Sequence, residues 1–312
     1  MALNDAALDQ TTIQFSPAAG LVLNLILAVV IFGVALELRP ADFARVTRMP
    51  RAVLAGLLAQ WLALPGLTCA LVYVLAPAPG IALGMLLVAA CPGGNMSNVL
   101  CHWARGATAL SVTLTAFSTL AAVLVTPLTF AFWAGLNPLT RDALTAINVP
   151  LGSLVLSILI ALALPLAAGL YVGARHPRWA ARVRGPLKHF GLVVFVAFIV
   201  LALVANAQAF RATVGLMLGV VALHNGLALG AGFLIARLAR LPVQETRAVT
   251  LETGIQNSGL ALVLIFAHFG GMGGMALVAG WWGVWHLISG GTLAAFWSWR
   301  TRRTGQAAES TA

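Results

Sequence analysis

Glu252 carries the chemistry that most needs a partner. It stands in Thr250-Leu251-Glu252-Thr253-Gly254-Ile255-Gln256-Asn257-Ser258, inside a segment of membrane-spanning length and just before a long apolar run. The other seven acidic residues, Asp5, Asp9, Glu37, Asp42, Asp142, Glu245 and Glu309, fall in tails, loops or segment ends. A carboxylate at the centre of an apolar span costs about 2.5–3.5 kcal/mol on insertion scales, so it calls for a cation or a proton. A structural ion pair is the plain alternative, but no Lys or Arg lies at that depth in any apolar segment.

A second polar run, Cys91-Pro92-Gly93-Gly94-Asn95-Met96-Ser97-Asn98, interrupts another apolar stretch, and Ser111 and Thr115 follow one helical turn apart on one face. Together with Gln60 and Gln256 these residues offer hard oxygens. Oxygen-only sites suit alkali or alkaline-earth cations, not zinc or copper. Where a helix is interrupted, freed carbonyls such as those of Thr253 and Ile255 can add ligands, while N–H groups at half-helix starts favour anions. The pattern therefore fits a cation and an anion together. The candidate anion contacts are Gly93, Gly94, Asn95 and Asn257. A lone Ser or Thr in an apolar helix usually bonds its own i−4 carbonyl. Six polar residues converging on two interruptions make that explanation poor for the set. His224-Asn225 suits a supporting role, and His286 is open between structure and substrate contact.

These residues need elements to hold them. The 312-residue chain is 61% hydrophobic and 8% charged, whereas soluble domains run near a quarter charged. Apolar segments of membrane-spanning length recur at 17–38, 51–75, 80–104, 107–136, 149–173, 188–208, 211–236, 244–268 and 275–299, which predicts an all-α polytopic membrane protein of nine transmembrane helices. With the N-terminus outside, 16 of the 18 Lys and Arg residues fall on the cytoplasmic side, and only Arg141 and Arg211 do not. That split obeys the positive-inside rule and puts the C-terminus in the cytoplasm, as in a multi-pass protein of the inner membrane. The net charge of +10 is thus a topology signal, and no nucleic-acid partner is expected. Trp281, Trp282, Trp285, Trp297 and Trp299 read as an aromatic belt at the bilayer surface.

The two interrupted segments, 80–104 and 244–268, occupy corresponding places if 17–136 and 188–299 are four-span repeats joined by the span at 149–173. Four crossings and one linker crossing make the second repeat start from the opposite face, so the repeats are inverted. Paired interruptions in inverted halves are the sequence pointer to the binding site of a secondary transporter. A polar tail at 1–16, without the basic start of a signal peptide, and a tail at 300–312 flank the repeats. Cys69, Cys91 and Cys101 have neither disulfide nor metal-ligand spacing and read as small buried residues.

CPGGNMSN followed by Arg105-Gly106 and the Ser111/Thr115 pair, with ETGIQNSGLA, Val284-Trp285-His286 and Ser289-Gly290, resembles the bile acid:sodium symporter family over residues 25 to 300. The resemblance implies a core domain and a panel domain, two broken helices that cross, and an organic anion held between the domains. It also implies two sodium ions. One resembles a site of Ser97, Asn98, Ser111, Thr115 and Glu252; the other, a site of Gln60, Glu252, Gln256 and the carbonyls of Thr253 and Ile255. Relatives often carry Asn where this chain has Leu287, beside His286, which bears on substrate choice. Rival readings are a proton-coupled permease in which Glu252 titrates, a metalloid permease using Cys91, an intramembrane hydrolase and a sensor. The hydrolase would need a nucleophile, base and orienter at one depth. The deep carboxylate stands among neutral oxygens instead, so no enzymatic activity is expected.

Overall fold

A computed structural model of the protein describes residues 17–36, 48–146, 151–205 and 207–310. The polar tail at 1–16 and the loop residues Glu37, Arg39, Asp42 and Arg45 lie outside the described residues. The described chain is helical: α1 (Pro17–Ala35), α2 (Pro50–Leu75), α3 (Pro79–Ala90), α4 (Met96–Trp103), α5 (Thr108–Leu136), α6 (Pro138–Ala146), α7 (Leu151–Arg175), α8 (Pro177–Ala205), α9 (Ala207–Leu238), α10 (Val243–Gly254), α11 (Ser258–His268) and α12 (Gly273–Ser310).

Among the described residues, Pro50–Leu75, Thr108–Leu136, Ile158–Arg175 and Met217–Leu238 are each long and apolar enough to cross a membrane, and Pro79–Ala90 and Ser258–His268 are shorter apolar helices. The outer surface is also apolar. Leu124, Leu128 and Phe132 on α5 and Leu156, Ile160 and Leu164 on α7 repeat every fourth residue and are exposed. Such stripes are a liability in water and the ordinary outer face of a helix in lipid. The protein is a multi-pass membrane protein.

Both interruptions foreseen in the sequence are present, and each has a local cause. α3 stops at Ala90 because Cys91 precedes a proline and is driven to extended backbone, with φ −70° and ψ 156°. Pro92 then has no N–H to continue the ladder. In the other segment α10 ends at Gly254, Ile255 leaves helical geometry at φ −110° and ψ 87°, and Asn257 restarts α11 by accepting from the Leu260 N–H at 3.0 Å. The two breaks hydrogen-bond to each other. Gly94 N–H donates to the Ile255 carbonyl at 2.8 Å and Asn257 N–H to the Pro92 carbonyl at 2.8 Å. Backbone groups that would be orphaned at this depth are satisfied by the partner break, as non-helical backbone in a membrane requires.

α1, α7 and α8 pack on one another, while α3 packs on α12, α9 on α10, and α4 and α5 on α10. α5 and α11 face α7 and α1 across the boundary between these groups.

Several features differ from the sequence expectation. α8 begins at Pro177, well before the expected start at 188, because Pro177 suits a first helical turn and the basic stretch after it stays helical. The short helix α6 lies in what read as a loop. α2 carries a π-helical turn at Ala59–Ala63, with the Leu64 N–H bonded to the Ala59 carbonyl. Pro65 explains it: its ring crowds the carbonyl of Trp61 four residues back and it cannot donate, so the helix widens just before it. Trp282 does not belong to a surface belt. It is fully buried, its ring 4.6 Å from that of His224.

Candidate ion and substrate site

Glu252 is fully buried in the last turn of α10. Its carboxylate receives three hydroxyls: Ser97 Oγ donates to Oε2 at 2.5 Å, Ser111 Oγ to Oε2 at 2.9 Å and Thr115 Oγ1 to Oε1 at 2.7 Å. Ser97 is presented by the first turn of α4, while Ser111 and Thr115 share one face of α5. All three partners are neutral. The Thr115 hydroxyl also lies 3.2 Å from Asn98 Oδ1 and 3.0 Å from the Ser111 carbonyl. One hydroxyl carries one proton, so three acceptors compete for it, and a cation is the natural complement of this oxygen-rich cluster.

A second group of oxygens lies along the backbone of Glu252 and Thr253. The Gln60 amide nitrogen donates to the Glu252 main-chain carbonyl at 3.1 Å, and the Gln256 amide nitrogen donates to the Thr253 carbonyl at 2.8 Å. These bonds fix both amide orientations, since a carbonyl accepts only from the nitrogen end. Gln60 Oε1 and Gln256 Oε1 are then buried without a hydrogen-bond partner. Two orphaned amide oxygens, on side chains bonded to the backbone of Glu252 and of Thr253, suit a hard cation. Gln60 reaches this place from the π-helical turn of α2.

Gly93 is required by the crowding. A Cβ added there would run into Glu252 Oε1 and stand 3.1 Å from Gln60 Nε2, and one at Gly94 would stand 3.1 Å from the Gln256 carbonyl oxygen. The candidate oxygens of the sequence reading, from Ser97, Asn98, Ser111, Thr115, Gln60, Gln256 and the backbone of Thr253 and Ile255, are therefore gathered around Glu252 and the crossing. Asn225 supports them from α9. Its amide nitrogen donates to the Gly254 carbonyl at 2.7 Å and its oxygen accepts from Ser289 Oγ at 2.6 Å, tying α9 and α12 to the end of α10. Sequence reasoning placed Asn225 in a supporting role and quoted Ser289 as part of a motif, but did not find the bond between them, which needs the tertiary register of α9 against α12.

The candidate anion contacts are more scattered. Asn257 and Pro92 line a narrow crevice with Thr119, Leu260, Ile31 and Leu162, at the boundary where α5 and α11 face α1 and α7. The N–H of Gly94 is engaged with Ile255, and Asn95 begins α4 without a side-chain cap. His286 is buried on α12, whereas Leu287 is 38% exposed.

The sodium bile acid symporter family model matches residues 24–213. An uncharacterized sodium-dependent transporter, YocS of Bacillus subtilis, is 34% identical over 285 residues, covering 90% of this chain and 84% of its own. A probable chloroplastic sodium/metabolite cotransporter of Arabidopsis thaliana, BASS1, is 31% identical over 276 residues, with 87% of this chain and 65% of its own covered. The ileal sodium/bile acid cotransporter of Cricetulus griseus is 30% identical over 259 residues, covering 80% and 70%. These relatives are sodium-dependent transporters, and the YocS and BASS1 similarities cover so much of the chain that they take in Glu252, whereas the family model stops at residue 213. A hard-oxygen site at two crossed helix breaks and similarity along nearly the whole chain lead to one conclusion: the protein belongs to the sodium bile acid symporter family, whose members are transporters and not enzymes.

Proposed function

We propose that the protein is a sodium-coupled symporter of an organic anion, either a bile acid or a small carboxylate of the pantoate kind, working by alternating access. The observation that carries this reading is the pair of oxygen clusters sharing Glu252. Ser97, Asn98, Ser111, Thr115 and Glu252 hold one sodium ion; Gln60, Glu252, Gln256 and the carbonyls of Thr253 and Ile255 hold the second. One buried carboxylate between two cation seats makes each ion's occupancy depend on the other.

The substrate carboxylate sits in the crevice by Asn257, toward Gly93, Gly94 and Asn95, where helix starts supply positive potential without a buried Lys or Arg. His286 and Leu287 bear on which anion fits. The functions for which the ileal and chloroplastic relatives are named, bile acid and metabolite cotransport, support the substrate class. In this reading α1, α7 and α8 form the panel and the remaining helices the core. The inverted repeats at 17–136 and 188–299, joined by the span at 149–173, relate the two breaks, with the N-terminus outside and the C-terminus cytoplasmic. Rocking of the core against the panel opens the crevice to each side in turn.

Thermal stabilisation of the purified protein by a panel of carboxylates, with sodium or with an equal concentration of potassium, tests the proposal. A ligand that binds only the folded state stabilises it by RT ln(1 + [L]/Kd). A carboxylate that raises Tm in sodium and not in potassium is the expected result. Equal stabilisation in both salts by every carboxylate that binds would overturn it.

A further inference from the structure

Away from the ion site, the end of α4, the start of α10 and the C-terminal part of α12 bring arginines together in a way that sodium binding does not use. Arg247 is 8% exposed, yet its hydrogen-bond partners are neutral: Nη1 donates to the Ala104 carbonyl at 2.7 Å and Nη2 to Thr301 Oγ1 at 2.9 Å. Its Nε is buried and unpartnered. Among the described residues no carboxylate pairs with this buried guanidinium, which is satisfied there only by neutral oxygens and lacks a counter-charge.

The two groups that hold it are the chain neighbours of two further arginines. Ala104 precedes Arg105, and Thr301 follows Arg300; both arginines are exposed, and both bear on Arg247 electrostatically. Arg105 adopts φ +53° at the end of α4, a left-handed position that favours glycine, and the Gly106 N–H closes the turn on the Cys101 carbonyl at 2.8 Å. Backbone strain of this kind is held where surroundings over-determine it, often at functional sites. The Ala107 N–H donates to the Gln244 carbonyl at 2.9 Å, which binds the same turn to the start of α10.

The setting identifies the anion. Trp103 is 59% exposed beside this turn and Trp299 is 49% exposed beside Arg300, while the Arg247 guanidinium stands 5.8 Å from the Trp297 ring centre and that of Arg303 4.4 Å from Trp299. Exposed tryptophans next to arginines mark headgroup depth in a bilayer. We propose that Arg105, Arg247 and Arg300 form a binding site for the phosphate headgroup of an anionic phospholipid, pinning α4, α10 and α12 together at one membrane surface. The exposed Arg105 and Arg300 guanidiniums supply paired N–H donors suited to phosphate oxygens, Arg247 adds its buried charge, and Trp103 and Trp299 flank the glycerol region.

The proposal rests on the membrane placement of the chain and not on sodium coupling. Detergent-solubilised wild-type protein is titrated with phosphatidylglycerol, with phosphatidylethanolamine and with inorganic phosphate, and Tm is recorded. The same titrations are made on Arg105→Gln/Arg300→Gln, which leaves buried Arg247 and its two hydrogen bonds in place. Phosphatidylglycerol is expected to raise the wild-type Tm by several degrees where phosphatidylethanolamine and inorganic phosphate do not, and the double variant should lose most of that rise. Equal stabilisation by inorganic phosphate would make the ligand a free anion and overturn the lipid assignment. An unchanged response in the double variant, or no selectivity between the two lipids, would overturn the site itself. A sodium-dependent Tm shift that persists in the double variant separates failure here from failure of the transport reading.

Discussion

Gln60 and Glu252, 192 residues apart in the chain, meet through the Gln60 amide nitrogen and the Glu252 main-chain carbonyl at 3.1 Å. That bond does two things. It locks the π-helical turn of α2 to the broken helix, and by engaging the amide nitrogen it leaves the Gln60 oxygen buried and unpartnered.

Replacing Glu252 with Gln keeps the shape of the site and removes its charge. A unit charge pair at about 4 Å in an effective dielectric of about 20 is worth about 4 kcal/mol, so sodium affinity should fall by at least 100-fold. The variant is expected to insert and purify normally while losing both its sodium-dependent Tm shift and sodium-driven uptake. Wild-type sodium dependence in a well-expressed Glu252→Gln protein would contradict the assignment.

Ser111→Ala and Thr115→Ala withdraw oxygens from one cluster, whereas Gln60→Ala withdraws one from the other. Each loss should weaken sodium binding by about 1–3 kcal/mol. Because the clusters share only Glu252, the Gln60 variant combined with either α5 variant should show a non-additive sodium response, read as a double-mutant cycle on the sodium midpoint. Strict additivity would mean that the two groups of oxygens do not communicate.

Gly93→Ala is expected to be more damaging to sodium binding than Gly94→Ala. The first places a methyl against the Glu252 carboxylate and the Gln60 amide, the second only against the Gln256 carbonyl oxygen at 3.1 Å. Sodium-dependent stabilisation measured on both variants checks the order. The reverse order would show that the carboxylate does not occupy the space above Gly93.

Asn225→Leu removes both the donor to the Gly254 carbonyl and the acceptor for Ser289. Leaving buried polar groups unsatisfied costs about 1–3 kcal/mol each, so thermal stability should drop clearly, while Ser289→Ala, which leaves the Gly254 bond intact, should cost less. Equal Tm losses in the two variants would place the support of the break elsewhere.

The two interruptions were legible because their causes are local: Pro92 with Gly93 and Gly94 in one segment, a polar run with Gly254 in the other. Glu252 stood out for a different reason, since a lone deep carboxylate has no inexpensive structural explanation. The orphaned oxygens of Gln60 and Gln256 were not legible, because they depend on which carbonyls the amide nitrogens meet across 192 residues in one case and three in the other. Trp282 misled for the same reason. It read as one tryptophan among several near the end of a span, but its side chain turns inward to His224, and only the packing of α9 on α12 decides that. The π-helical turn could have been suspected from Pro65, whose effect on the preceding turn is general.

The coupling of the two ligands is the claim on which the rest depends, and one titration addresses it. Substrate affinity is measured on purified wild-type protein across sodium concentrations from zero to saturation, using whichever carboxylate stabilises the protein, and the same ligand is then followed into proteoliposomes under a sodium gradient or a pH gradient. Linkage requires that sodium tighten substrate binding by the same factor as substrate tightens sodium binding. The account predicts that affinity rises at least tenfold with sodium and that the sodium gradient drives uptake. Substrate affinity independent of sodium, with uptake driven by the pH gradient instead, would contradict it and make Glu252 the carrier of a proton.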